Sequence, residues 1–474
     1  MNLTDRVFEY FAEICKIPHG SENMEKISDY CLKFAEKNSL KVIKDDYNNV
    51  IIFKDGTLGY ENSEPIILQG HLDMVCQSKE ESDFDFLKDS IEIVTEGDFI
   101  KANGTTLGAD NGIAVAMILA ILESKDIPHP PIEAVFSTDE EIGMIGAIGL
   151  NADCLKAKKM INLDSEEDDT LTVSCAGGRE FKAKVPVNRT SKTGTVLNIS
   201  LSGLLGGHSG VDINKKRVNA NALMLRILNH IKNSDFELIS ISGGEKSNVI
   251  TNNSTVKLLT DKPDELTEIL NDYLKIIKRE ISFREPDFTF EVKKETTGEF
   301  SVLDSKQKGK LIYALLCIPH GVVEMSAEIE GLVETSLNFA IIKTTDSEIS
   351  VEVSLRSNKY SALDFLEEKL MTIFSNIECN ITVSGHYPPW EYKENSPLRD
   401  LYCKCYEEQF SKLPKIAAIH AGLECGVFSS KIDELDCISL GPQLYDVHTV
   451  NERMSVSSAK NIFELLLNIL KKSK

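Results

Sequence analysis

Short apolar runs that are each followed within a few residues by an acidic residue or a histidine recur in the first third of the chain. Such runs predict buried strands. A long apolar helix is predicted between the first two runs, and this alternation favours an α/β sheet with parallel strands. The carboxyl ends of parallel strands share one edge of a sheet, so the polar residues should converge there. The runs and the residues that follow them are 66–68 with His71, 132–136 with Glu140 and Glu141, and 160–163 with Asp164.

Two more residues extend this set of candidate ligands. Asp110 opens the predicted helix 113–122, and His448 follows a predicted strand at 437–440. With the pair Glu140 and Glu141 supplying one ligand, two histidines and three carboxylates suit zinc and also fit manganese or cobalt. Five ligands give each of two ions three protein contacts only if one carboxylate bridges both ions. Two divalent ions held in this way would clamp a water and a scissile carbonyl together.

The adjacent residues Glu140 and Glu141 supply two different functions in this hypothesis. The attacking water needs a general base that is not itself a ligand. Adjacent carboxylates can point to different sides of a turn, so one can bind metal while the other moves the proton. Asp73 lies two residues after His71, on the same side of an extended chain. We therefore expect Asp73 to accept a hydrogen bond from the histidine nitrogen that faces away from the metal.

The pattern of the chain changes between residues 178 and 388. Strands there alternate polar and apolar residues, which predicts sheets with one wet face. Helices such as 221–231 and 264–281 are interleaved with these strands. We predict an α/β domain formed by residues 1–177 and 389–474, interrupted by an α+β domain at 178–388. The order of elements suggests two similar halves in the insert, at 179–294 and at 306–385.

Composition excludes several classes of function. The net charge is −22, from 52 basic and 74 acidic residues, and it is spread along the chain. Nucleic-acid binding and anionic membrane surfaces both require basic contacts, so neither is expected as a partner. The eleven cysteines contain no Cys-x-x-Cys pair. No signal-peptide pattern and no membrane-spanning apolar run is present, so we expect a reduced, cytoplasmic protein.

The motifs of this chain resemble those of the co-catalytic zinc exopeptidases, a family that includes carboxypeptidases, acetylornithine deacetylase and carnosinase-type dipeptidases. The resemblance covers the whole chain and implies a mixed-sheet α/β catalytic domain interrupted by a large inserted α+β lid domain. Within the family, the long lid and three further stretches favour the Xaa-His dipeptidase branch. The matching stretches are His71-Leu72-Asp73, Asp110-Asn111-Gly112, Asp139-Glu140-Glu141-Ile142-Gly143, Asp164, His448, Leu205-Gly206-Gly207-His208-Ser209-Gly210, His420-Ala421-Gly422-Leu423-Glu424-Cys425-Gly426 and Val447-His448-Thr449-Val450-Asn451-Glu452.

The resemblance also implies a role for each ligand. His71 and Asp164 would bind one of two divalent ions. Glu141 and His448 would bind the other ion, and Asp110 would bridge the two. Zinc is the expected metal, with manganese or cobalt as alternatives.

The remaining implied roles concern catalysis and substrate binding. Glu140 would be the general base, and Asp73 would orient His71. In the lid, His208 resembles the histidine that polarises the substrate carbonyl. Asn248 and Arg356 are candidates for binding the terminal carboxylate, because arginine suits bidentate recognition of that group. For His420 and Glu424, substrate contact and a scaffolding role remain equally open.

The expected function is metal-dependent hydrolysis of unblocked dipeptides by a two-metal-bound hydroxide, with Xaa-His (carnosine-like) substrates implied by the resemblance. An N-acyl amino acid deacylase or another peptidase of the family would use the same metal site with a different pocket. A metal-stabilised binding or scaffold protein is the non-enzymatic alternative. The expected partner is a small peptide, and monomer and homodimer both remain open.

Overall fold

The computed structural model describes residues 3–474, and its contacts divide the chain into two compact units. Unit 1 comprises the chain up to Cys175 together with Trp390–Ala418 and Leu423–Lys474. Unit 2 comprises Ala176–Pro389 and the short segment Ile419–Gly422. The sequence pattern did not indicate that Ile419–Gly422, which contains His420, would pack with unit 2.

The first part of unit 1 contains four helices and eight strands. Its helices are α1 (Leu3–Ile14), α2 (Glu25–Lys37), α3 (Ala109–Glu123) and α4 (Ile145–Gly149). Its strands are β1 (Lys41–Lys44), β2 (Val50–Lys54), β3 (Ile66–His71), β4 (Ile93–Glu96), β5 (Phe99–Ala102), β6 (Ile132–Ser137), β7 (Lys159–Asn162) and β8 (Thr170–Cys175).

Unit 2 follows, and unit 1 is then completed by the C-terminal segment. The strands of unit 2 are β9 (Gly177–Pro186), β10 (Arg189–Ser202), β11 (Glu237–Gly243), β12 (Ser254–Thr260), β13 (Thr289–Leu303), β14 (Gly321–Met325), β15 (Val333–Thr344), β16 (Glu348–Ser357) and β17 (Asn380–Tyr387). Its helices are α5 (Ala220–His230), α6 (Pro263–Ile281), α7 (Ser305–Cys317) and α8 (Tyr360–Phe374). The C-terminal segment adds α9 (Pro397–Phe410), β18 (Lys415–Ile419), α10 (Glu424–Lys431), β19 (Asp436–Ser439), β20 (Leu444–Tyr445), β21 (Arg453–Ser455) and α11 (Val456–Lys472).

The main sheet of unit 1 is mixed, with the strand order β1-β2-β6-β3-β7-β19-β8-β18. Strands β6, β3, β7 and β19 run parallel to one another at its centre. Helix α3 packs against β3 and is buried from Ile113 to Leu122, which explains its apolar residues on every side. Lys54 donates to the carbonyls of Ile121 and Ser124 at the end of this helix, where intrahelical donors are lacking.

Unit 2 is built on one long sheet in which two groups of four strands join side by side. The order is β13-β10-β12-β11-β15-β16-β9-β17, with β14 paired to β15. The two groups meet where β11 pairs with β15, at Ser242 opposite Lys343 and Gly243 opposite Ile342. Strand β9 comes first in the chain but lies in the second group, between β16 and β17, so the groups are not the two consecutive segments that the sequence suggested. A strand can pair with any complementary edge, and sequence order alone does not determine which.

In the described part of the chain, no helix is long and apolar enough to cross a membrane. The mixed α/β architecture agrees with the predicted fold class.

Candidate metal centre and active site

Three of the predicted residues lie at the carboxyl ends of the central parallel strands of unit 1. His71 is the last residue of β3, and Asp164 follows β7. Strand β3 lies between β6 and β7, and His71 is opposite Ser137 at the end of β6. The turn after β6 carries Glu140. The parallel pairing therefore brings these side chains to one edge of the sheet.

Asp110 lies between the two histidines and directs one carboxylate oxygen to each. Its Oδ1 is 3.2 Å from Nε2 of His71, and its Oδ2 is 3.1 Å from Nε2 of His448. Nε2 of His71 is also 3.3 Å from Oδ1 of Asp164, and Nε2 of His448 is 3.0 Å from Oε1 of Glu141. All five predicted ligands are thus connected through Asp110.

These separations fit residues that share metal ions. Ligand atoms placed about 2.0–2.1 Å from a tetrahedral zinc lie roughly 3.3 Å from one another. His71, Asp110 and Glu141 form a group whose potential ligand atoms all lie within 4.8 Å of one another. Oε1 of Glu141 is buried and makes no well-oriented hydrogen bond among residues 3–474. A cation would satisfy this oxygen.

The electrostatics of the cluster also favour a cation. Burial raises the pKa of Asp164 to about 6, with Asp110 and Glu141 adding repulsion. Burial likewise raises the pKa of Glu140 well above its usual range. The hydrogen bond to Asp110 and the adjacent carboxylate of Glu141 raise the pKa of His448 to about 11. A divalent ion would supply the positive charge that the histidines otherwise provide by binding protons.

Asp73 connects His71 to the turn that carries the two glutamates. Its Oδ1 accepts the backbone N–H of Glu140 at 3.0 Å, and its Oδ2 accepts that of Glu141 at 3.2 Å. Nδ1 of His71 lies 3.1 Å from the backbone carbonyl of Asp73 and 3.5 Å from its carboxylate. Nδ1 of His71 therefore lies nearer to the backbone carbonyl of Asp73 than to its carboxylate, and this carboxylate also holds the glutamate turn.

Sequence reasoning missed three residues that support this centre. Ser21 donates its hydroxyl to Oδ2 of Asp73 at 2.8 Å. Asn111 accepts the N–H of His71 at 3.3 Å and donates to the carbonyl of Leu163 at 2.8 Å. Glu452 accepts the backbone N–H groups of Ala109 and Asp110. Of these, Asn111 and Glu452 stood in the quoted motifs, but no pattern at the level of sequence indicates which backbone groups they contact.

Glu424, a candidate for substrate contact, is fully buried in unit 1. Its carboxylate accepts the Ser137 hydroxyl at 2.7 Å and also the side-chain amide of Gln69. Gln69 in turn accepts a hydrogen bond from Asn162. These partners lie on β6, β3 and β7, just before the ends that carry the candidate ligands. Burial raises the pKa of Glu424 to about 7, and its contacts are those of a group that supports the strand ends.

The other candidate substrate-binding residues lie in unit 2. His420 is buried and contacts the Ser336 hydroxyl at 2.7 Å through Nε2. Burial, together with the nearby charges of Arg356 and His208, lowers the pKa of His420 to about 3. Arg356 donates to the Tyr387 hydroxyl at 3.0 Å, while its Nε is buried with no hydrogen-bond partner among the described residues. Three basic groups are thus gathered in one part of unit 2.

Asn248 lies beside the His208 segment. It is exposed, and its backbone carbonyl accepts the N–H of Ser209 at 2.8 Å. Nδ1 of His208 accepts the N–H of Gly210 at 3.1 Å, which leaves Nε2 to carry the ring proton. The fixed tautomer makes Nε2 a hydrogen-bond donor toward any ligand.

Comparison with known proteins decides the family. The profile of peptidase family M20/M25/M40 matches residues 67–472. This chain belongs to that family. It is 35% identical over 470 residues to the cytosol non-specific dipeptidase of Escherichia coli K12, covering 98% of this chain and 97% of the relative.

Solved structures agree with this assignment. The crystal structure of aminoacylhistidine dipeptidase from Vibrio alginolyticus matches with a TM-score of 0.92 and 35% identity, covering 98% of this chain and 96% of that one. The aminopeptidase PepT of Bacillus cereus matches with a TM-score of 0.58 at 14% identity over 99% of this chain and 98% of that one, a likeness of fold alone. This M20 member is accordingly a peptide hydrolase. The resemblance to the zinc exopeptidases that its motifs predicted is confirmed.

Proposed function

We propose that this M20 peptidase hydrolyses unblocked dipeptides at a centre of two divalent metal ions. The observation that carries the proposal is the position of Asp110, whose two oxygens lie 3.2 and 3.1 Å from the two histidines. A carboxylate that faces two histidine nitrogens in this way is suited to bridge two ions. His71 and Asp164 would complete one site, and Glu141 and His448 the other.

The bound ions would activate a water and polarise the scissile carbonyl. Zinc suits this mixture of imidazole and carboxylate ligands, and manganese and cobalt also fit. The residues do not distinguish these metals, because all three accept the same donor atoms.

Glu140 is the proposed general base. It is not among the five ligands, and the N–H of its backbone is fixed by Asp73 at 3.0 Å. Burial raises the pKa of its carboxyl well above the usual range, which makes Glu140 a better proton acceptor once it is ionised. It would take a proton from the attacking water and return it to the leaving amine.

Recognition of the substrate carboxylate is assigned to unit 2. Arg356, His208 and His420 are close enough for their charges to influence one another. Arg356 has a buried Nε without a partner among residues 3–474, and a carboxylate would satisfy it. His208 would polarise the substrate carbonyl, and Asn248 would add a hydrogen bond to the substrate.

The preference for a C-terminal histidine is the finer part of the proposal. One relative at 35% identity is named as a non-specific dipeptidase, and another at the same identity as an aminoacylhistidine dipeptidase. We propose a dipeptidase that accepts Xaa-His substrates, including β-Ala-His.

A substrate screen of the purified protein loaded with zinc or manganese tests the proposal. It would compare β-Ala-His, Gly-His, Gly-Leu, a tripeptide and an N-acetyl amino acid, with Glu140→Gln as the control. Turnover of free dipeptides that is lost in the variant is the expected result. Cleavage of the acetylated substrate alone would favour a deacylase. No turnover despite two bound ions would overturn the enzymatic proposal.

A further inference from the structure

Glu452 accepts hydrogen bonds from four consecutive backbone N–H groups. Its Oε2 accepts from Leu107 at 2.8 Å and from Gly108 at 3.1 Å. Its Oε1 accepts from Ala109 at 2.8 Å and from Asp110 at 3.3 Å. The side chain is only 3% exposed, so water does not compete for these bonds.

Leu107 and Gly108 immediately precede α3, and Ala109 and Asp110 are its first two residues, whose N–H groups have no carbonyl of the helix to accept them. The positive end of the helix dipole favours a carboxylate at this position. Burial raises the pKa of Glu452, while the N–H groups of Gly108 and Leu107 lower it. Both oxygens must act as acceptors, because every partner is a donor. An amide in place of the carboxylate would set its NH2 group against two N–H donors.

Glu452 is connected to both proposed metal sites through His448 and Asp110. Glu452 lies four residues after His448 in the chain, and its fourth hydrogen bond comes from the N–H of Asp110. Asp110 faces His71 on one side and His448 on the other. Any shift of the segment that begins α3 would therefore change the distance from Asp110 to both histidines.

Close packing limits the freedom of this segment further. Gly108 has φ of 71°, a left-handed conformation that suits glycine. A Cβ atom at this residue would lie 2.8 Å from the Met74 sulfur. A larger side chain at residue 108 would thus collide with Met74. The carboxylate of Glu452 additionally fixes the N–H groups of this segment by hydrogen bonds.

We propose that Glu452 is a positioning residue that sets the bridging carboxylate of Asp110 between the two metal ions. The inference rests on the proposed di-metal site. It assigns Glu452 no contact with substrate or metal. Its effect should appear in metal binding, since loss of a residue that orients a metal ligand by hydrogen bonding typically reduces metal affinity about 10–100-fold.

The test compares Glu452→Gln with a matched control, Glu133→Gln. Glu133 is also a buried carboxylate in unit 1, and it accepts the N–H groups of Lys156 and Ala157 at 2.9–3.1 Å. It lies near the beginning of β6, whereas the candidate ligands lie at the opposite ends of the strands. Both variants lose a buried carboxylate that binds backbone N–H groups. Only the carboxylate of Glu452 binds the N–H of Asp110.

Apo-protein of each variant would be titrated with Zn²⁺ and with Co²⁺, whose visible absorption reports ligand geometry. We expect Glu452→Gln to weaken at least one of two sites about 10–100-fold and to change the Co²⁺ spectrum. Glu133→Gln should lose stability but keep the affinities and spectrum of the wild type. Glu452→Asp, which keeps the charge but is shorter, should lie between the wild type and Glu452→Gln.

Each outcome has a separate meaning. Affinities and a Co²⁺ spectrum in Glu452→Gln that match the wild type would overturn the positioning role. The same loss in Glu133→Gln would also overturn it, because it would then be a general effect of destabilisation. If Glu452→Gln does not fold, the comparison of Glu452→Asp with Glu133→Gln decides by the same criteria. Wild-type protein that binds fewer than two ions would instead overturn the proposed metal site itself.

Discussion

The carboxylate of Asp73 accepts the backbone N–H of Glu140 at a distance of 3.0 Å. The same carboxylate accepts the N–H of Glu141 and the hydroxyl of Ser21. One buried group thus fixes the turn that carries both the proposed general base and a proposed ligand. The sequence suggested only that this aspartate would orient His71.

Replacing Asp73 by asparagine should therefore impair catalysis more than stability. Asparagine keeps one acceptor oxygen, but its NH2 group would face an N–H donor of the glutamate turn. We expect a decrease in kcat or in metal affinity of about 10–100-fold. Steady-state kinetics at saturating metal, combined with metal titration, would separate the two. A Ser21→Ala variant, which removes a single donor, should show a smaller change in the same direction.

Metal binding should stabilise unit 1 against heat. The folded cluster offers five converging ligands, whereas the unfolded chain offers none in a fixed arrangement. A ligand at about 100 times its Kd stabilises the folded state by about 2.7 kcal/mol. We expect Zn²⁺ to raise the Tm of the wild type and to raise it much less in His448→Ala. An equal rise in both proteins would show that the stabilising ion binds elsewhere.

Removing the charge of Arg356 should weaken binding of substrates that carry a free carboxylate. We expect Arg356→Ala to raise KM by about 10-fold or more, since a hydrogen bond to a charged group contributes about 1.5–3 kcal/mol. Arg356→Lys should restore only part of the affinity, because lysine lacks the planar fork. The control is the C-terminally amidated dipeptide. Its kcat/KM should respond little to either substitution, and an equal response would exclude carboxylate recognition by Arg356.

Acid should destabilise unit 2 through His420. Burial, together with the charges of Arg356 and His208, lowers the pKa of this histidine from 6.5 to about 3 in the folded protein. Between these values the unfolded state binds a proton that the folded state does not, so stability falls as the pH falls. One proton of difference corresponds to about 1.4 kcal/mol per pH unit.

Urea unfolding between pH 7 and pH 4 measures this effect in the wild type and in His420→Gln. The variant keeps a polar group but cannot bind the proton. Its free energy of unfolding should therefore depend less on pH than that of the wild type across this range. Identical pH dependence in the two proteins would mean that His420 does not titrate differently on folding.

Much of the central architecture was predictable because its signals are local. The apolar run 66–68 predicted a strand, and the structure has β3 at Ile66–His71. The apolar runs 132–136 and 160–163 likewise predicted strands, and the structure has β6 at Ile132–Ser137 and β7 at Lys159–Asn162. In each case, the apolar residues that identify the strand in the sequence are the residues that form it.

Features that depend on pairing between distant segments were not predictable in this way. The position of β9 in the second group of unit 2 depends on its pairing with β16 and β17, which lie far from it in the sequence. The packing of His420 with unit 2 depends on a contact between the chain near residue 420 and the strand that carries Ser336. His129 is fully buried, with Nδ1 close to the Pro130 carbonyl. Neither burial nor pairing of this kind has a periodic signal.

The sequence by itself indicated which side chains could bind metal, and it placed His71, Glu141 and Asp164 after the carboxyl ends of predicted strands. It did so because a parallel sheet brings the carboxyl ends of its strands to one edge. Only the tertiary structure decided that Asp110 divides its oxygens between His71 and His448, and that Glu452 fixes Asp110 through backbone N–H groups. Backbone donors are the same in every residue, so the sequence does not reveal which of them a buried carboxylate will bind.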